Sequence, residues 1–580
     1  MPTVPAATTI TAGRPGRRPA LPAATGELPF ALVVALCTVL LAGCSPEPRA
    51  DLVIHNGSEI ETLDPHVLTG MPDGRVSGSL FEGLTRFDPR TGRAMPGLAS
   101  HWEVSADGRR YTFHLRTNAA FSTGEPIHAD DFVWSWRRAV DPATAADYSG
   151  FFFYVEGGQA LATGASTNLA ELGIQAVDPH TVTVDLVNPT PFFPDLCAMR
   201  IMAVVPRRTI EEHEDQWVRA SPLPCSGPYE LVSWRPNDRI RVRRNPFHWD
   251  AAAVGCDRVD FLAGDSPAAA LNLYLTGDID FLIDKVVIPT ELGDVLVRRP
   301  DFHAYAYLAT YFLRFNVTRK PFDDPRVRKA IGLVVDRRRI TERITRMGER
   351  PASALTPPGT GGYEPPAGLG HAAVAAPDPA AQATAMAEAV AEAQRLLAEA
   401  GYPGGNGFPP FTYMYNAGGG GGALLHENIG VELQTRLREH LGLRVELRPV
   451  EWKTYLSEMS RLNYDMIRGS WVGDYQDPTT FLDCFLSDSG NNRTGWRNER
   501  YDALLASAAG EADPEIRFDR LREAETLLVR DEVPLLPLYT YVGLFAYDPE
   551  KWEGIHENLT DQHPVWAIRR RQAAANPSAP

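Results

Sequence analysis

The chain is short of positive charge: 57 Lys and Arg stand against 73 Asp and Glu, a formal net charge of -16. Gripping a polyanion takes a basic footprint that displaces counterions, so nucleic acid is excluded as a partner. Uninterrupted apolar runs of the ~18 residues needed to span a bilayer as a helix are also missing. Cysteine is scarce, six in 580 residues and never as CxxC, which argues against zinc and redox chemistry. None of the 14 histidines stands four residues from another, so there is no HExxH zinc motif. A GxxxxGK[ST] phosphate loop and a GxSxG nucleophile elbow are likewise absent. Neither a cofactor nor a catalytic residue is therefore expected.

The N-terminus is the most readable segment. Arg14, Arg17 and Arg18 precede the apolar run Phe30–Leu41, which has the length of a signal-peptide core. The run leads into Leu41-Ala42-Gly43-Cys44, which resembles the lipobox of bacterial lipoproteins. The resemblance implies that residues 1–44 are a lipoprotein signal peptide and that Cys44 carries lipid. The mature chain is then a globular body on a membrane tether in the cell envelope.

From Asp51 onward, segments rich in β-branched and aromatic residues (YTFHLRT, TVTVDLV, RIRVRRN, VDFLAG) alternate with helical patterns such as Ala129–Val140. This mixture predicts the α/β class. An Ala-rich stretch, 372–400, opens as a linker and becomes a helix that Gly401 and Pro403 end. Phe411–Asn416, a glycine loop, Ala423–Leu441 and Arg444–Val450 read as strand, loop, helix and strand. Gly418-x-Gly420-x-x-Ala423 therefore fits a dinucleotide fingerprint, but five successive glycines match almost any glycine pattern. The loop is read instead as opening a helix whose free N–H groups suit an anion.

A series of short passages then narrows the reading. Asn56-Gly57-Ser58-Glu59, Leu63-Asp64-Pro65-His66 and Leu80-Phe81-Glu82-Gly83-Leu84 come first. Phe132–Arg138, Gly227-Pro228-Tyr229, Asn245–Trp249, Gly277–Asp280 and Pro325–Ala330 follow. Leu396–Tyr402, Glu451–Thr454 and Trp471–Pro478 complete the series. In this order they resemble the oligopeptide-binding proteins of ABC importers, solute-binding family 5, across nearly the whole mature chain. The resemblance implies a bilobal periplasmic-binding-protein fold with two crossover strands and an extra inserted subdomain. Lobe I takes 45–308 and 542–580, with the insertion at about 82–206, and lobe II takes 309–541. The implied partners are a peptide ligand, an ABC permease with its ATPase subunits, and the membrane through the anchor, with the protein acting as a monomer.

The family also implies a site. A binder of varied peptides must hold what all share, a backbone and two charged termini. The aspartate that pairs the ligand ammonium falls on Asp474, and two members of the basic set that meets the carboxylate fall on Arg468 and His426. Trp452, Trp471 and Tyr148 match pocket-lining positions, and Met71 matches a residue whose backbone meets the peptide. Two features depart from the pattern. A disulfide of some relatives falls on Ala309 and Val472, and two acidic pocket positions fall on Thr69 and Arg314. The second departure predicts a preference for neutral or acidic peptides over lysine-rich ones. Another cargo on the same fold (dipeptide, nickel complex, sugar or opine) and an extracytoplasmic enzyme are the alternatives.

Overall fold

A computed structural model describes residues 47–283, 287–417 and 422–572. Cys44 and the signal-peptide segment lie outside the described residues, as does the glycine loop at 418–421. Two compact units divide the chain, Met1–Arg49 and Ala50–Pro580, and the second carries the fold.

Strand β1 (Leu52–Gly57), buried at every residue, leads to helix α1 (Met71–Leu80). A separate four-stranded sheet follows: β2 (Ala99–Val104), β3 (Arg110–Leu115), β4 (Ile174–Asp178) and β5 (Thr181–Asp185), in the order β2-β3-β5-β4. Helix α2 (Ala129–Val140) covers it. The α2 N-terminus forms where expected, with the Asp131 carboxylate accepting from the His128 backbone N–H at 2.8 Å. Phe132, Val133, Trp136, Ala139 and Val140 recur at helical spacing and are all buried.

The remaining strands join β1 in one large sheet. They are β6 (Tyr229–Arg235), β7 (Arg239–Arg244), β8 (Arg258–Ala263), β9 (Phe281–Leu282), β10 (Phe302–Phe315), β11 (Phe411–Asn416), β12 (Val445–Val450), β13 (Met466–Val472) and β14 (Leu535–Ala546). Their order is β12-β11-β13-β10-β14-β9-β1-β8-β7-β6, with a short strand at Arg350–Pro351 added against β14. Strands β10 and β14 are the long ones, at 14 and 12 residues, and they run antiparallel. Phe302–Ala306 pair with Val542–Ala546, and the register then shifts before Thr310 pairs with Thr540. On either side of that shift lie distinct cores, one around Ile54, Trp217 and Phe261, the other around Tyr311, Leu433 and Leu536. The fold is thus two-lobed α/β, its lobes threaded by one pair of strands.

Helix α3 (Pro379–Glu399) starts from Asp378, whose carboxylate accepts from the Ala381 N–H at 2.8 Å, and ends at Gly401 with φ +96°. Strands β11 and β12 are parallel and joined by helix α4 (Gly422–Leu441), as the pattern predicts. Cys197, Cys225, Cys256 and Cys484 are buried free thiols. Among the described residues no helix is long and apolar enough to cross a membrane.

Candidate functional site

Strand β13 is the backbone of the site. It lies between β11 and β10, and the pairings Leu313–Arg468 and Tyr311–Ser470 put these four side chains on one sheet face. The pairing Arg314–Ile467 puts Arg314 on the other.

Arg468 is 8% exposed. Its Nη1 donates to Asn416 Oδ1 at 3.0 Å and its Nη2 to Ser470 Oγ at 3.0 Å, while Nε has no partner. The guanidinium faces the Tyr311 and Tyr455 rings at 5.4 and 5.8 Å. Among the described residues no carboxylate pairs with it. Burial works against its charge, but the guanidinium stays protonated, and its pKa is shifted up rather than down. His426, on α4, is buried alongside, its Nδ1 3.3 Å from the Tyr311 hydroxyl. Burial, and then Arg468, push its pKa down to about 3, so the ring is neutral at physiological pH. Of the two residues expected to meet the ligand carboxylate, Arg468 thus carries the positive charge and His426 is a polar, uncharged neighbour.

Asp474 lies two residues beyond β13. Its loop is fixed from several sides. Trp471 Nε1 donates to the Thr480 carbonyl at 2.6 Å, and the Asp474 N–H donates to Thr480 Oγ1 at 2.9 Å. Arg517, on helix α6 (Pro514–Thr526), holds Asp477 with two bonds of 2.7 and 2.8 Å. Tyr475 stacks on Phe192 at 4.3 Å and shares a 2.7 Å hydroxyl contact with Tyr154. The Asp474 carboxylate itself has no hydrogen-bond or ion-pair partner among the described residues. The residue is exposed to solvent, with the surrounding protein crowding its carboxylate. That desolvation pushes its pKa up to about 6.

The other named residues divide between these centres. Tyr148, 41% exposed and stacked on Phe151, comes close to Asp474: burial first, then the Asp474 charge, raises its phenol. Trp452, half exposed, begins helix α5 (Trp452–Ser460) and stacks on Tyr455 beside Arg468. Trp471 turns to the opposite sheet face and packs on the core around Leu308 and Phe312, so its observed role is to fix the Asp474 loop. Met71 opens α1 and, with Arg75 and Arg200, lines a solvent-open recess of about 930 Å³; neither Asp474 nor Arg468 lines it. Thr69 is exposed two residues earlier.

Arg314 is apart from all of these, 4% exposed. Its Nη1 reaches Met459 Sδ at 3.4 Å and its Nη2 the Asn491 carbonyl at 3.3 Å, with its guanidinium carbon 4.9 Å from the Phe312 ring centre. Gly469 gives it room, because a Cβ there would stand 3.0 Å from Nη1. Ala309 and Val472 are direct cross-strand partners. The tyrosines around Arg468 escaped the sequence reading. Tyr413, Tyr539 and Tyr541 sit in strands where aromatics are ordinary, and only the i, i+2 spacing of Tyr539 and Tyr541 marks a shared face.

Residues 93–493 match the family model for bacterial extracellular solute-binding proteins, family 5. The chain belongs to that family. It is 34% identical over 525 residues to the periplasmic oligopeptide-binding protein OppA of Salmonella typhimurium, spanning 88% of this chain and 91% of that protein. Among solved structures, the unliganded open form of the periplasmic murein tripeptide-binding protein MppA superposes with a TM-score of 0.76 at 32% identity, over 90% of this chain and 96% of MppA. A second structure of the Escherichia coli MppA gives 0.71 at 32% identity, over 90% and 99%.

Proposed function

We infer that this extracytoplasmic solute-binding protein captures oligopeptides between its lobes and hands them to an ABC permease and its ATPase subunits. One observation carries the reading: two ionisable groups of opposite sign, Asp474 and Arg468, face no counter-ion and stand six residues apart on one strand and its extension. Arg468 is buried, so leaving its charge without a carboxylate is costly unless a ligand supplies one, and the exposed Asp474 offers an unengaged anion. Six residues of strand span about 20 Å. After the reach of both side chains, that leaves room for roughly three to five extended residues between an ammonium on Asp474 and a carboxylate on Arg468. Tyr148 near Asp474, and Trp452 and the neutral His426 near Arg468, flank the path, with Met71 on a separate recess, and ligand side chains extend into water-filled space.

The lobe division at 308/309 and 541/542 is supported by the two long strands, whose register shifts close to it. The insertion at 82–206 contains the separate four-stranded sheet. Anchoring through Cys44, a monomeric state and the lack of catalysis complete the reading.

The test is calorimetric titration of a tripeptide, its N-acetyl form and its C-amide form. Both blocked forms should bind far more weakly than the free peptide. Equal affinity for all three would refute the assignment of the two ends.

A further inference from the structure

Strands β2 and β3 form a hairpin whose inward residues, Tyr111 and Phe113 among them, are fixed in a core. The outward face presents a different chemistry. His101 and Glu103 are two residues apart on β2, hence on one side, and His114 of β3 is the direct cross-strand partner of His101. The two imidazoles stack at 4.4 Å with planes 14° apart, and His114 Nε2 lies 3.8 Å from Glu103 Oε1. One nitrogen of each ring and one Glu103 oxygen all fall within 4.8 Å of one another.

We propose that this face binds one divalent metal ion of the zinc class through His101, Glu103 and His114. Two imidazoles and a carboxylate are a donor set that zinc accepts, with a fourth position left for water. Bond lengths near 2.1 Å put tetrahedral ligand atoms about 3.4 Å apart, so the 3.8 Å contact closes by a few tenths of an ångström while wider pairs, within 4.8 Å, close further as the stacked rings tilt toward the ion. Two further observations point the same way. Ser100 Oγ donates its proton to the His114 carbonyl at 3.0 Å, so its 2.9 Å contact with His101 Nδ1 is one in which the ring N–H donates. That fixes the tautomer and leaves His101 Nε2 with the lone pair a metal needs, the outer support seen around metal-bound histidines. His114 Nε2, meanwhile, is shielded from solvent and has no hydrogen-bond partner. The three ligands come from two strands, so no short motif announces them. Bound metal clips β2 to β3, and by the Irving–Williams order copper competes with zinc while magnesium and calcium do not.

The experiment uses purified, untagged full-length protein, zinc chloride as the probe, and calorimetry with cobalt substitution as a spectroscopic check. Wild type should bind one zinc per chain saturably, and the cobalt form should show the visible bands of a tetrahedral site. His101→Ala and His114→Ala should each lower affinity by at least about tenfold, Glu103→Gln and Ser100→Ala should weaken it, and peptide affinity should stay unchanged in all four. Circular dichroism of these surface variants confirms their folding. Absence of saturable zinc binding, or an undiminished affinity in the His101→Ala/His114→Ala double variant, overturns the proposal.

Discussion

The crowding that raises the carboxyl of Asp474, the proposed ammonium partner, should make peptide capture sensitive to mild acid. With its pKa near 6 in the ligand-free protein, Asp474 is about nine-tenths ionised at pH 7 and one-tenth at pH 5. Only the ionised form pairs with an ammonium, so peptide affinity falls about tenfold from pH 7 to pH 5, or ~1.4 kcal/mol. The peptide's own ends stay charged over most of this interval, with an amine near 7.7–8.0 and a carboxyl near 3.5. His426, pushed down to about 3, is neutral throughout.

Asp483, pushed up to about 7 by burial and then Asp477, is a competitor, as is Glu525, which burial pushes up to about 7. Asp474→Asn keeps both and separates their effect from that of Asp474. The variant should bind ~2–5 kcal/mol more weakly at pH 7, since the ligand ammonium is left buried without its partner. It should also lose most of the pH dependence. Calorimetry in buffers of different ionisation enthalpy reads the linked proton directly: wild type at pH 6 should release about half a proton on binding. A wild-type affinity that stays flat between pH 7 and 5, or an Asn variant with the same pH slope as wild type, would refute the reasoning.

The same raised pKa predicts that Asp474→Asn slightly increases the melting temperature of the ligand-free protein at pH 7. A carboxyl raised on folding contributes stability while protonated and loses it as pH rises through about 6, so the gain should vanish below about pH 4, where both folded and unfolded chains are protonated. Arg468→Gln should cost about 2–5 kcal/mol of binding, and amidating the peptide C-terminus should add little to that loss, because both changes remove one interaction. Arg314→Met, replacing a buried cation that pairs with no carboxylate, should leave stability to denaturant equal or higher; a loss above about 2 kcal/mol would show that its contacts with Met459 and Asn491 are essential. Cys44→Ser should move the protein from the membrane to the soluble fraction, and full retention in the membrane would refute lipid anchoring.

Local patterns in the sequence were enough for most single elements. Ala129–Val140 carries its cap, its charged ends and its apolar face within twelve residues, and forms a helix over that span. Strand β11, helix α4 and strand β12 are legible in the same way, and so is the end of α3 at Gly401. The threading of the lobes was not, because Thr310 meets Thr540 across 230 residues and nothing near either residue encodes that pairing. The charge on His426 was illegible for a related reason. A histidine's protonation depends on its burial and on Arg468, a residue from another element.

Register decides what each arginine does. Arg314 and Arg468 are both buried cations without carboxylate partners among the described residues, and composition cannot tell them apart. Pairing can: Leu313 opposite Arg468, and Arg314 opposite Ile467, send the two guanidiniums to opposite faces of one sheet. Arg468 meets the Tyr311 and Tyr455 rings and Asn416, with the neutral His426 beside the Tyr311 hydroxyl, a set that holds further donors for an incoming carboxylate. Arg314 meets aromatic rings, a thioether and a backbone carbonyl, which accept from a guanidinium and offer a second anion nothing. On that chemistry Arg468, rather than Arg314, suits the proposed carboxylate end of the ligand. The selectivity against lysine-rich peptides expected from Arg314 then has to act across the thickness of the sheet, where the field of a single charge is weak beside that of Asp474. Matched tripeptides with Lys, Ala or Glu at the middle position should therefore rank the same in wild type and in Arg314→Met. A shift toward lysine in the variant would show that Arg314 reaches the ligand despite its place on the far face.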